Sequence, residues 1–250
     1  MKILKLLFVL LLGMQCAVVL SQAQDASKLT YQMVQGHQGS GPADVFETCP
    51  PTSFFGQNPV LPDGPWAAYT SDANLGPYLC YENFSGLTQA IGVVHFWGLN
   101  LHFADGWFEC NNENPMSFEI KFYQDNAGFP GALVATFNMS LTGDNTGLIY
   151  VYGPLYHYKA QLNSSVNLAK GWISIQGTSV GDPDCAFLWM NSQSGDALAY
   201  QQTLTGELSN LGTDLSLCFE GGMVPLSNWA LILGAVLIGV FVFIRYRKLS

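Results

Sequence analysis

Four histidines, His37, His95, His102 and His157, are the residues on which a hydrolase or a transition-metal site would draw. His37 lies in a Gly- and Gln-rich stretch. His95 and His102 are seven residues apart, so an unbroken strand points them to opposite faces and they cannot share an ion. The chain has no G-x-S-x-G elbow, H-E-x-x-H pair or phosphate-binding Gly loop. Each histidine is therefore read as structural or surface, and no catalytic residue is expected. Glu109 and Glu113 have the chemistry of a glycosidase's carboxyl pair. They border the polar run Asn111-Asn112-Glu113-Asn114, for which solvation is the simpler account.

Oxygen ligands suited to a hard cation recur in turns: Asp125, Asn126, Asp144, Asn145, Asp182, Asp184 and Asp196. A structural Ca2+ on Asp182 and Asp184 is the best cofactor reading among them. Against it, Asp and Asn are ordinary turn formers and no D-x-[DN]-x-[DN]-G loop is present. The aromatics suggest a different chemistry. Neutral sugars stack apolar ring faces on aromatic rings while amides and carboxylates take the hydroxyls. Trp107 follows Asp105-Gly106 in a loop flanked by Asn and Glu, so it is expected to be an exposed platform, with Asp105, Asn111 and Glu113 beside it. Tyr156 and Tyr158 share one strand face and either extend that platform or join the core. Trp172 and Trp189, inside apolar runs, are expected in the core.

Charge narrows the partners. All 18 acidic residues lie between Asp25 and Glu220, opposed there only by Lys28, Lys121, Lys159 and Lys170, a balance of −14. Such a field repels phosphate backbones and excludes nucleic acid as a partner. Neutral glycans, other surface proteins and cations remain. Past the N-terminal apolar run five cysteines follow, Cys49, Cys80, Cys110, Cys185 and Cys218, an odd number that leaves one thiol over. Cys110 and Cys185 each precede a strand candidate, and a bridge between those entry loops is expected. Pairing among the other three stays open.

The elements that must position these groups have a period of two. Ile91, Val93, His95, Trp97, Leu99 and Leu101 fall on one face, with Val94, Phe96 and Asn100 on the other. Phe118, Ile120 and Phe122 alternate with Ser117, Glu119, Lys121 and Tyr123. Further strand candidates lie at 132–139, 148–152, 156–162, 166–168, 172–176, 186–191, 197–202 and 215–219. Gly-, Asp- and Asn-rich turns separate them. Many short strands with regular turns predict an all-β fold, a β-sandwich or jelly roll over 78–220. Residues 24–44 read as a linker, and 45–77 as an irregular segment laid on the sandwich by Phe54, Phe55, Trp66 and Tyr69.

Both ends address the chain to an envelope. Lys2 and Lys5, the apolar run 6–12 and Ser21-Gln22-Ala23 form a signal peptide over 1–23. After Gly221-Gly222 an uncharged run at 226–244 provides 19 residues, roughly 28 Å of helix and enough for one membrane crossing. Trp229 is an interfacial anchor, and Arg245-Tyr246-Arg247-Lys248 marks the cytoplasmic side. The tail, with Val224, Pro225, Leu226, Ser227, Asn228 and Trp229 ahead of the helix, resembles the sorting tails of bacterial PEP-CTERM and IPTL-CTERM surface proteins. The threonine expected after proline in the IPTL form is absent. The resemblance implies recognition by a membrane sorting peptidase. A second resemblance runs from Cys80 to Cys218, through Phe96-Trp97-Gly98, the run Phe118 to Gly131, Tyr156-His157-Tyr158, Gly171-Trp172-Ile173-Ser174-Ile175, Phe187-Leu188-Trp189 and Ser194-Gly195-Asp196. It is to a bacterial secreted β-sandwich domain found beside such tails and often glycan-binding in appearance. The expectation is a membrane-anchored, non-catalytic binding or adhesion module at the cell surface. The rivals are a structural envelope or matrix protein and a glycan-active enzyme.

Overall fold

The structure is a computed structural model that describes residues 33–36, 39–40, 48–75, 78–110, 114–178, 184–203 and 205–222, with 236–238 and 245 beyond them. The signal peptide and the motif Val224, Pro225, Leu226, Ser227, Asn228 and Trp229 lie outside the described residues, as does nearly all of 226–244. Among the described residues no helix is long and apolar enough to cross a membrane.

The protein is all-β. Its strands are β1 (Met33–Gly36), β2 (Gly39–Ser40), β3 (Phe55–Gln57), β4 (Trp66–Thr70), β5 (Leu79–Phe84) and β6 (Ile91–Phe103). Next come β7 (Trp107–Glu109), β8 (Met116–Asp125), β9 (Pro130–Leu141), β10 (Asp144–Tyr150), β11 (Gly153–Val166) and β12 (Gly171–Gly177). The last are β13 (Cys185–Ser192), β14 (Tyr200–Gln202), β15 (Leu208–Asn210), β16 (Asp214–Leu215) and β17 (Leu217–Gly221). One sheet of eleven strands follows the order β1-β4-β13-β6-β11-β10-β2, with β3, β7, β16 and β17 attached. A second sheet of six runs β15-β14-β5-β12-β8-β9.

Alternation along the central strands builds the core. On β6, Val94 and Phe96 face the six-stranded sheet, and Phe187 and Trp189 of β13, Tyr158 of β11 and Phe219 of β17 join them. The opposing sheet contributes Phe84, Phe118, Ile120, Phe122, Ile173 and Ile175. Each such side chain removed from water contributes about 1.5–3 kcal/mol. The other face of the large sheet is also apolar, with Trp97, Leu99, Leu101, Leu188 and Met190 packed on Trp66, Trp107, Leu148 and Tyr150. Trp66 of β4 meets Tyr150 of β10 edge-on at 5.0 Å, although three strands separate β4 from β10 in the sheet order. The large sheet therefore rolls around this second core, giving a sandwich with a barrel-like wall. Gly98 permits the packing between them: a Cβ there would lie 2.2 Å from the Phe187 ring and 2.6 Å from the Leu188 carbonyl oxygen.

Two expectations are corrected. Residues 45–77 are not merely an irregular cover, since β4 is buried along its whole length and pairs with β13 through Leu188–Thr70, Trp189–Tyr69 and Met190–Ala68. The Pro62-Asp63-Gly64-Pro65 run just ahead of Trp66-Ala67-Ala68-Tyr69-Thr70 conceals a five-residue strand with no polar alternation. The linker at 24–44 likewise contains β1, which edges the large sheet against β4.

Candidate functional site

The β6–β7 hairpin decides the fate of the expected sugar platform. Ala104 N donates to Gly106 O at 2.9 Å, and exposed Asp105 takes a φ of 55° at the tip. The returning strand places Trp107 opposite Phe103 and turns its ring inward, where it meets Phe103 edge-on at 5.3 Å. Trp107 is 9% exposed and belongs to the core inside the rolled sheet. It is not a platform, because the pleat that turns it inward turns Phe108 out, 51% exposed. Tyr158 is fully buried over Phe96, and Asn100 Nδ2 donates to its hydroxyl at 2.7 Å. Tyr156 packs beside it, half-buried, with its hydroxyl 3.4 Å from Glu109 Oε1. Asn111, Glu113 and Asp182 lie outside the described residues. Asp184 is exposed, and the described residues contain no group of three metal-binding side chains. The expected Cys110–Cys185 bridge is present; Cys49 pairs with Cys218, and Cys80 is a buried free thiol. Trp172 and Trp189 are fully buried as expected, though Trp172 lies on the outer face of the smaller sheet with Tyr81 and Tyr200.

The concave feature the structure does offer lies at the rim of the rolled sheet, where β1 meets β4. A cleft of about 610 Å³ is lined by Gln35, Gly36, Trp66, Tyr69, Asn191, Gln193 and Thr213, among others. A second depression of about 350 Å³ adjoins it through Gln193 and adds Asn58, Asp63 and Ser194. Its walls are fixed by hydrogen bonds. Asn191 Oδ1 accepts from Ala67 N at 2.8 Å, and the Thr213 hydroxyl donates to Ser192 O at 2.9 Å. Gly36 lets the β1 backbone lie on the indole, for a Cβ there would fall 2.6 Å from Trp66 Cζ2. The Trp66 Nε1–H at this wall is buried and has no hydrogen-bond partner among the described residues.

Amides, hydroxyls and one carboxylate, Asp63, dominate the polar lining, which includes no His, Cys or Lys. That donor set can exchange hydrogen bonds with a neutral polyhydroxylated molecule and has no base beside a nucleophile. No motif announced it, because its walls come from β1, β4, β13 and the 211–213 turn. The one local signal was Trp66 between Pro65 and Ala67.

Two titratable groups are buried away from the cleft. His95 Nδ1 and His157 Nε2 are 3.0 Å apart, their rings nearly parallel at 8°. His95 Nε2 is 3.1 Å from Glu220 Oε2, and the Thr52 hydroxyl donates to Glu220 Oε1. With Glu220 ionised, His95 gives its Nε2–H to the carboxylate and accepts at Nδ1 from His157. Burial lowers both histidines, His157 to about 4, with His95 adding to the depression. Burial raises Glu220, but the bonds from Thr52 and His95 outweigh it and hold the carboxyl below its ordinary value. Glu82 bridges the two sheets: Gln57 Nε2 donates to its Oε1 at 3.2 Å and Leu215 N to its Oε2 at 2.7 Å. Burial drives that carboxyl well above the usual range. His95, His157 and Glu82 are buried in the fold, and only Glu220 of these groups is partly exposed.

No protein-family profile matches the chain, and no curated protein matches it. Among solved structures it is similar to the catalytic domain of a GH87 alpha-1,3-glucanase in complex with tetrasaccharides, at 13% identity and a TM-score of 0.28. The match covers 78% of this chain and 27% of that one. A likeness at that level carries no argument about fold or activity.

Proposed function

We propose that this chain is an exported, membrane-anchored β-sandwich that binds a neutral glycan in the cleft at the β1–β4 rim, without catalysis. One observation carries the reading: a preformed concavity whose polar lining is amide and hydroxyl, with a buried indole N–H that has no acceptor among the described residues. Neutral ligands fit, since the acidic balance of the chain disfavours polyanions. Two disulfides support an oxidising compartment outside the cytoplasm, and the apolar run at 226–244 supplies the anchor. Titration of the purified full-length chain in detergent against a panel of neutral oligosaccharides tests this. Binding should weaken by about 1–2 kcal/mol in Gln193→Ala, the loss of one hydrogen-bonding group, with the melting temperature unchanged. Turnover of a bound glycan would favour the enzyme, and no binding across the panel would favour the structural protein.

A further inference from the structure

We propose that two copies of this chain pair edge to edge through β9, joining their six-stranded sheets into one across a two-fold axis at Asn138. The free edges of this fold are unequal. On the large sheet the terminal strands β1 and β2 have four and two residues. The six-stranded sheet ends at one side on β15, three residues long and immediately preceded by the charged Glu207. Its other end is β9, twelve residues long, and no strand among those described pairs with its outer side. A long free edge is normally guarded by charge, by proline within it or by shortness. Between Pro130 and Leu141 the sequence PGALVATFNMSL has no charged residue, whereas β8 beside it carries Glu119, Lys121 and Asp125. Two register shifts, one at Val134 and one between Leu133 and Pro130, break the ladder with β8 over 130–134, but 135–141 runs in regular register with 116–122 and offers seven residues of regular edge.

The regular run commits this edge to a second copy. Ala135, Phe137, Met139 and Leu141 pack on the inter-sheet core, so Thr136, Asn138 and Ser140 take the outer face. Apolar and polar positions are thus symmetric about Asn138. In an antiparallel pair centred there, Thr136 faces Ser140 of the second copy and Asn138 faces its own counterpart. Phe137 then faces Met139, and Ala135 faces Leu141. Polar meets polar and apolar meets apolar at every step, as an isologous contact requires. Leu133 and Val134, 56% and 43% exposed, flank both ends of that ladder. Charge points the same way: copies of net charge −9 repel one another, and β9 is a long uncharged line along which they can approach.

The register supplies its own test on the full-length chain in detergent. Asn138→Cys should form a disulfide-linked dimer on mild oxidation, since self-facing positions bring their Cβ atoms close. Ser140→Cys, which faces Thr136 instead, should not. By sedimentation velocity the unmodified protein should dimerise more tightly as salt rises, because screening relieves like-charge repulsion. Asn138→Lys should weaken the dimer by about tenfold or more, since it sets two lysines side by side. It should keep its melting temperature, because Asn138 lies opposite Glu119 of its own β8. A monomer at every concentration, equal cross-linking of the two cysteine variants, or a dimer indifferent to Asn138→Lys would overturn the proposal.

Discussion

A single hairpin pleat separates Trp107 from Phe108, and truncating each reads out which ring the fold depends on. Trp107→Ala should lose roughly 3–5 kcal/mol, the usual loss for a buried aromatic, while Phe108→Ala stays within about 0.5 kcal/mol. Denaturant midpoints measure both, and equal small effects would mean that Trp107 is not core. The buried titratable groups give a second prediction. His157 titrates near 4 in the fold and near the ordinary 6.5 when unfolded. Between those values the unfolded chain binds the extra proton, so stability falls as pH drops from 6.5 towards 4, by an amount on the order of 2–3 kcal/mol. Glu82 acts with the opposite sign. Its folded value is raised, so its contribution is full below the unfolded value near 4.5 and is lost as pH rises through the folded one. The two slopes oppose each other in the mildly acid range, and single variants separate them. His157→Gln should remove the His157 share of the acid loss, leaving the smaller shares of His95 and Glu220. Glu82→Gln, which keeps an oxygen for Leu215 N, should raise the melting temperature at pH 8 and change it little at pH 4. A Glu82→Gln protein less stable at pH 8 would show that the carboxylate is ionised in the fold.

Two disulfides fix how elements far apart in the chain close on one another. Cys49–Cys218 spans 169 residues and ties the segment before β3 to β17, while Cys110–Cys185 spans 75 and ties the end of β7 to the start of β13. Removing either by paired serine substitution should lower stability by about 2–5 kcal/mol. Cys80 should resist alkylation in the native protein and react once the chain unfolds, because it is buried and burial raises its thiol pKa. Rapid native labelling of Cys80 would contradict that placement. The Cys110–Cys185 bridge was legible because each cysteine precedes a strand candidate, although β13 begins at Cys185 itself. The other bridge was not, for nothing local relates Cys49 to β17. The same distinction runs through the fold. β8 declares itself by an apolar–polar period of two, whereas β4, five residues long and buried on both faces, lacks one. The histidine pair was invisible because His95 and His157 meet only after β11 is known to lie against β6. Trp107 was misread because its neighbours Asp105 and Gly106 belong to the turn, and a turn's polarity says nothing of the next residue's pleat.

At the scale of the whole molecule, the proposed export and anchoring carry one requirement: the strands would fold on the oxidising side of the membrane, where both disulfides can form. The acidic residues end at Glu220, the basic cluster begins at Arg245, and the uncharged run at 226–244 separates them. Positive charge is retained on the cytoplasmic side of a crossing helix. The expected topology therefore puts 245–250 inside. Protease added to intact cells, or to spheroplasts where an outer membrane intervenes, should remove everything ahead of the span and leave a short membrane-bound remnant. The described strands should resist cleavage, since their backbone is paired, so limited protease should release a folded ectodomain. That fragment should keep both disulfides on a non-reducing gel. Complete protection in spheroplasts would place the strands in the cytoplasm and overturn the surface reading, whereas digestion to small peptides would show that the ectodomain is not stably folded.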